Sequence, residues 1–187
     1  MSDTTDWLPL RAEVPMAGGG RCIMSGFPGL ETGVDGLAWI SPEMLEATLA
    51  EMTRRGARRL LVLTEPGELP EGAMALLETA LERHRLRAHL LPIRDFGVPG
   101  PAFLATWRDL GAELRALLKA GGVLAVCCQY GAGRSGLITA LLLIEGGLQP
   151  RQAVARVRDC FGEAIESPDQ MDWLLARPPG HPAETRE

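Results

Sequence analysis

The feature that most constrains this chain is an apolar run, Val123 to Cys127, that leads through Cys128 into a glycine-rich loop and then into a largely apolar stretch, Leu137 to Ile144. A strand that is apolar at consecutive positions must be covered on both faces, as an inner strand of a parallel sheet is. The rest of the chain keeps a matching rhythm. Arg21 to Ser25, Arg59 to Thr64 and Leu86 to Leu91 read as strands, the last ended by Pro92. Between them, Ser41-Pro42-Glu43 opens an amphipathic helix whose face is Met44, Leu45, Thr48, Leu49 and Met52. Further helices are expected over Glu71 to His84, Pro101 to Ala120, Ser135 to Glu145, Pro150 to Cys160 and Pro168 to Ala176. Strands alternating with helices define an α/β fold of three layers: a central, mostly parallel sheet of four to five strands flanked by helices. Its ligand site is expected off the carboxyl ends of the strands.

Composition narrows the classes of function. In 187 residues, 46% apolar against 23% charged suits one core rather than two. The expected organisation is a flexible segment at 1–20, one domain at 21–176 and a disordered tail at 177–187, since both ends are rich in glycine or proline and lack periodicity. A net charge of −5 argues against nucleic acid or an anionic membrane surface as partner. The N-terminus has no apolar core of a secretory signal, and no apolar run approaches the roughly 20 residues of a membrane span, so a cytoplasmic monomer is the expectation. Four cysteines, two of them adjacent, do not make a secreted disulfide framework.

The loop after the apolar strand reads Cys128-Gln129-Tyr130-Gly131-Ala132-Gly133-Arg134-Ser135. Its glycines let successive backbone N–H groups turn inward as a nest for an anion, and the following helix adds its positive N-terminal end. Residues Gln129 to Gly133 would then bind a phosphate through their amides. Five residues between Cys128 and Arg134 let the guanidinium return to the sulfur and grip two phosphate oxygens. These groups favour the thiolate of Cys128, a competent nucleophile. A plain glycine-rich turn would leave Arg134 unexplained. A nucleotide-binding loop would need a lysine where Arg134 stands and a different glycine spacing.

Cysteine, five residues, arginine, then serine resembles the signature of the cysteine-dependent protein tyrosine phosphatases. Within that superfamily, the dual-specificity branch, and especially the cyclin-dependent-kinase-associated phosphatases, looks similar over about residues 21–175. Three segments agree in order: Leu90-Leu91-Pro92-Ile93-Arg94-Asp95, the Cys128 loop, and Ala164-Ile165-Glu166-Ser167 with Gln170. The resemblance implies a dual-specificity phosphatase-like fold, a cysteinyl-phosphate intermediate and no metal or organic cofactor. It implies a phosphoprotein or a small phosphorylated molecule as substrate. By the same resemblance Asp95 is the general acid for the leaving oxygen, and Gln170 aligns with a glutamine that orients the hydrolytic water. Without it, Asp95 reads equally as a turn residue or cap, and Gln170 as a helical surface residue.

Ser135 can donate a hydrogen bond to the departing sulfur, or cap the helix, or do both. The family usually has histidine before the nucleophile, where this chain has Cys127, a poorer donor that should leave the thiolate less stabilised or the loop less rigid. Cys127 itself reads as a buried strand residue, and Cys22, on a neighbouring strand, as a core residue or a partner for Cys128 on oxidation. Two other readings of the loop remain: a phosphatase for inositol or nucleotide phosphates, and a phosphate-binding module without turnover. Sulfur transfer or arsenate reduction is less suited, since sulfur transfer needs no acid such as Asp95. His84 and His89 have no partners at metal-ligand spacing. Trp39, Trp107 and Trp173 are expected to pack in the core or a lid.

Overall fold

The computed structural model of the chain describes residues 7–183. Its elements run β1 (Leu10–Pro15), β2 (Arg21–Gly26), a hairpin of β3 (Leu30–Thr32) and β4 (Ala38–Ile40), α1 (Pro42–Arg54), β5 (Ala57–Val62), α2 (Ala73–His84), β6 (Arg87–Leu90), α3 (Pro101–Lys119), β7 (Val123–Cys128), α4 (Gly133–Glu145), α5 (Pro150–Cys160) and α6 (Pro168–Leu175). The main sheet has the order β1-β2-β7-β5-β6, and β7 lies parallel to both its neighbours. Only β1 is antiparallel. Here the expected three-layer fold is present.

Local sequence explains where the helices begin. Four of the six start on a proline, Pro42, Pro101, Pro150 and Pro168, whose missing N–H costs nothing in the first turn. Ser41 caps α1 by accepting from the Met44 N–H at 3.2 Å. By contrast, α4 begins inside the Cys128 loop with no side-chain cap on its first turn.

Two hydrophobic clusters sit on opposite faces of the sheet, and the period of two along β7 divides its residues between them. Leu124, Val126 and Cys128 join the cluster built with α3 to α6, while Val123, Ala125 and Cys127 join that built with α1 and α2. Every residue of α4 is buried, as its nearly unbroken apolar sequence requires. Burial of Leu137, Ile138, Leu141 and Ile144 contributes about 2 kcal/mol each before the entropy of ordering them is subtracted. This packing fixes the direction in which α4 points its first turn at Cys128.

The ends of the chain correct the expected organisation. The flexible segment expected at 1–20 contains β1, an edge strand with a bulge between Leu10 and Ala12 that lets Ala12 and Val14 pack on one face and Leu10 on the other. The tail expected to be disordered from residue 177 is instead packed as far as it is described. Gly180 N–H donates to the Ile144 carbonyl at 2.8 Å, and Ala183, buried, donates to Glu145 Oε1 at 2.7 Å. Glu145 also accepts from Trp107 Nε1 at 2.9 Å, which places that tryptophan in the core as expected, whereas Trp39 is 44% exposed on the hairpin. Residues 1–6 and 184–187 lie outside the described residues. Among the described residues no helix is long and apolar enough to cross a membrane.

Candidate active site

Cys128 is the last residue of β7, level with Gly26 of β2, so its sulfur emerges at the carboxyl end of the sheet where the crevice was expected. The loop that follows is turned inside in. The carbonyls of Gln129, Tyr130 and Ala132 accept bonds from outside the loop: from Phe27 N–H at 3.1 Å, Arg11 Nε at 2.8 Å and Gly136 N–H at 2.9 Å. In a planar trans peptide the next N–H points the opposite way, so the amides of Tyr130, Gly131 and Gly133 face inward. One of them shows the direction plainly, since Gly131 N–H donates to Cys128 Sγ at 3.2 Å. Gly131 has φ of 99° and lies against the backbone of Ser25 and Gly26, where a side chain would collide at 2.5 Å.

Arg134, 2% exposed, is gripped from below. Its NH1 and NH2 groups donate to the two oxygens of Glu68 at 2.6 and 2.8 Å, and NH1 also donates to the Ile93 carbonyl at 3.0 Å. Burial alone would lower its pKa. The bonds to Glu68 and the negative charges at Cys128, Glu68 and Asp95 outweigh that and raise it, so the guanidinium stays charged. Its Nε–H has no acceptor among the described residues, and NH2 lies 3.1 Å from Oδ1 of the exposed Asp95. Glu68 went unnoticed in the sequence. The only local signal was Glu65-Pro66-Gly67-Glu68, a capping box around a 3-10 turn, which says nothing about an arginine 66 residues later.

The remaining candidates come from other segments. Asp95, 45% exposed by side chain, sits in the turn Arg94–Gly97 closed by a 2.8 Å bond from Gly97 N–H to the Arg94 carbonyl. That turn is tied to the start of α6: Ser167 Oγ donates to the Phe96 carbonyl at 2.7 Å and Gln170 Nε2 to the Gly97 carbonyl at 3.2 Å. Gln170 is fully buried, and its Oε1 accepts from Glu166 N–H at 3.0 Å. Its amide thus pins the acid-bearing turn to α6. Ser135 is buried, with its hydroxyl 3.5 Å from the Ser25 carbonyl. Two residues with left-handed backbone, Phe96 at φ 54° and Ile165 at φ 64°, stand beside Asp95 and Glu166, a strained arrangement for side chains of this size.

The other cysteines are distant in direction or in space. Cys127 points to the opposite face and is fully buried, which pushes its thiol pKa far up. Cys22, its pKa pushed up to about 12 by burial, pairs with Leu124, four residues before Cys128. At strand rise that is about 13 Å, too far for a disulfide. No group of three or more His, Cys, Asp or Glu among the described residues could hold a metal ion.

Fold and sequence are both similar to the cysteine-dependent protein tyrosine phosphatases, and the three-layer architecture is that of their dual-specificity branch. The likeness within that branch is to kinase-associated phosphatase, whose crystal structure with its catalytic cysteine replaced by serine superposes with a TM-score of 0.72 at 22% identity, over 90% of this chain and 94% of that one. In sequence, the chain is 28% identical to cyclin-dependent kinase inhibitor 3 of Rattus norvegicus, over 66% of this chain and 58% of that protein. It is 33% identical to the probable protein tyrosine phosphatase type IVA A of Dictyostelium discoideum, over 40% of this chain and 44% of that one. The chain thus matches less than two thirds of the length of these curated relatives. No protein-family model matches it.

Proposed function

We propose that the chain hydrolyses phosphate monoesters through a cysteinyl-phosphate on Cys128, as a protein tyrosine or dual-specificity phosphatase. The observation that carries this reading is the loop itself, in which the Gly131 amide donates to the Cys128 sulfur while Glu68 holds the Arg134 guanidinium.

In the first step Cys128 Sγ attacks phosphorus and the ester P–O bond breaks, with the electron pair leaving on oxygen. Asp95, at the mouth and in reach of Arg134, gives that oxygen its proton. The inward amides of residues 130, 131 and 133 and the Nε–H of Arg134 hold the equatorial oxygens, where charge builds up. In the second step water attacks phosphorus while the Asp95 carboxylate takes its proton, the S–P bond breaks and the thiolate returns; the resemblance assigns Ser135 and Gln170 to this step. No cofactor enters either step. The chain acts as a monomer in the cytoplasm, a setting supported by its four free cysteines. The resemblance to kinase-associated phosphatase favours phosphoproteins as substrates over inositol or nucleotide phosphates, and the loop carries no lysine to attract a polyphosphate.

The test is hydrolysis of an aryl phosphate. Cys128→Ser should fold normally and lose at least about 10⁴-fold in kcat. Asp95→Asn should lose on the order of 10²-fold with poor leaving groups, together with the pH limb that an acid imposes. A Cys128→Ser protein that turns over at the wild-type rate ends this reading, and tight phosphopeptide binding without hydrolysis by the wild type would favour a binding module instead.

A further inference from the structure

The segment before α6 delivers a second carboxylate to the loop. The Glu166 carboxylate lies against the backbone of Gly133, its Oε2 standing where a Cβ on that residue would be, which brings it to the side of the Gly133 N–H. That amide is one of those facing inward, because the Ala132 carbonyl on the same peptide plane is turned away to Gly136 N–H at 2.9 Å and Ile165 N–H at 3.4 Å. The approach is so close that a methyl group at Gly133 would collide with the Glu166 carboxylate. The backbone N–H of Glu166 is held by Gln170, and Ile165 before it takes its left-handed conformation, so the side chain is aimed at the loop from a fixed base.

We propose that Glu166 is an internal oxyanion that occupies the Gly133 amide of the phosphate cradle, and that an incoming phosphoryl group must displace it to bind. This rests on the function proposed above and adds a residue that sets the affinity of the same site and its pH dependence. A phosphoryl oxygen and the carboxylate oxygen compete for one donor. When displaced, the carboxylate keeps its charge near the ligand unless it takes up a proton. The groups around it set that balance. Packing against the loop raises its pKa, the Gly133 N–H opposes this, and the negative charge of Asp95 adds to the rise. Arg134, already bound by Glu68, lowers it, and Glu163, which accepts from Tyr130 Oη at 3.1 Å, raises it again. Glu166 therefore neutralises at a higher pH than an ordinary carboxylate, and acid clears the cradle.

The experiment is calorimetric titration of the full chain with sulfate, a tetrahedral dianion whose charge is constant from pH 5 to 8, at fixed total ionic strength. Wild type, Glu166→Gln and Glu166→Ala are compared, with thermal melts confirming that each is folded. Both variants should bind sulfate about tenfold more tightly than wild type at pH 8, the scale of one charge-assisted contact. The gap should narrow as pH falls towards 5, because only the wild type carries the titrating group. Equal affinities at every pH, or a gap that does not change with pH, would overturn the proposal while leaving the cradle intact. Failure of all three folded proteins to bind sulfate would bring down the cradle itself, and with it both this proposal and the reading it rests on.

Discussion

The floor of the site and its rim are built by different means. The floor, Cys128 and Arg134, is buried and comes from seven consecutive residues whose backbone carries the ligand groups; one external side chain, Glu68, fixes it. The rim, Asp95 and Glu166, is exposed and drawn from two distant segments that touch through Ser167 and Gln170. Position on the floor is thus set by covalent sequence and helix packing, whereas position on the rim depends on two side-chain ties. The floor should be sensitive to charge and the rim to loss of those ties.

The largest effect is expected from Glu68→Gln. It takes from the buried Arg134 cation its bidentate carboxylate and leaves Cys128 and the exposed Asp95 as counter-charges, a loss of about 3 kcal/mol, which a chain of this length shows as a melting temperature lower by roughly 10 °C. Retention of wild-type melting would mean that the floor needs no external support. Gln170→Ala comes next. Cutting the buried amide that joins α6 to the Gly97 carbonyl should cost about 2 kcal/mol and lower kcat about tenfold for substrates that need Asp95. Thermal melts beside steady-state kinetics would show both.

The smallest effect belongs to Glu51→Gln on α1, behind the opposite face of the sheet. Arg54 and Arg55 hold the Glu51 carboxylate at a pKa of about 2, well below its ordinary range. The stabilisation is therefore complete above the unfolded carboxylate pKa and is lost as pH falls from there towards 2. With solvent screening it is worth about 1 kcal/mol near neutrality. The variant should melt slightly lower at pH 7, match wild type near pH 2 and leave kcat untouched. A change in kcat would show that the two faces of the sheet are not independent.

What the sequence disclosed follows the same division. The floor was legible because strand, loop and helix are contiguous, so the spacing from Cys128 to Arg134 carries the geometry. The central strands and all six helices were legible from apolar runs and from proline and serine at the helix starts. Glu68 was not, because its pairing with Arg134 is made by the fold across 66 residues. Glu166 stood within a recognised segment, yet nothing local says that its carboxylate turns back on Gly133. The alternation of Leu10, Ala12 and Val14 with Arg11 and Glu13 was a usable sign of β1, hidden between two prolines. The strands of the hairpin β3–β4, three residues each, are too short to show any period.

The sheet leaves two outer strands, and each is poorly suited as a template for a foreign one. On one side β1 is kinked by its bulge and bounded by Pro9 and Pro15, which offer no donor. On the other, β6 is four residues long, carries Arg87 and His89, and is followed by Pro92. A molecule so blunted at both margins resists edge-to-edge stacking, so its concentrated solutions are guarded against fibrous aggregation by the same irregularities that make those strands hard to read.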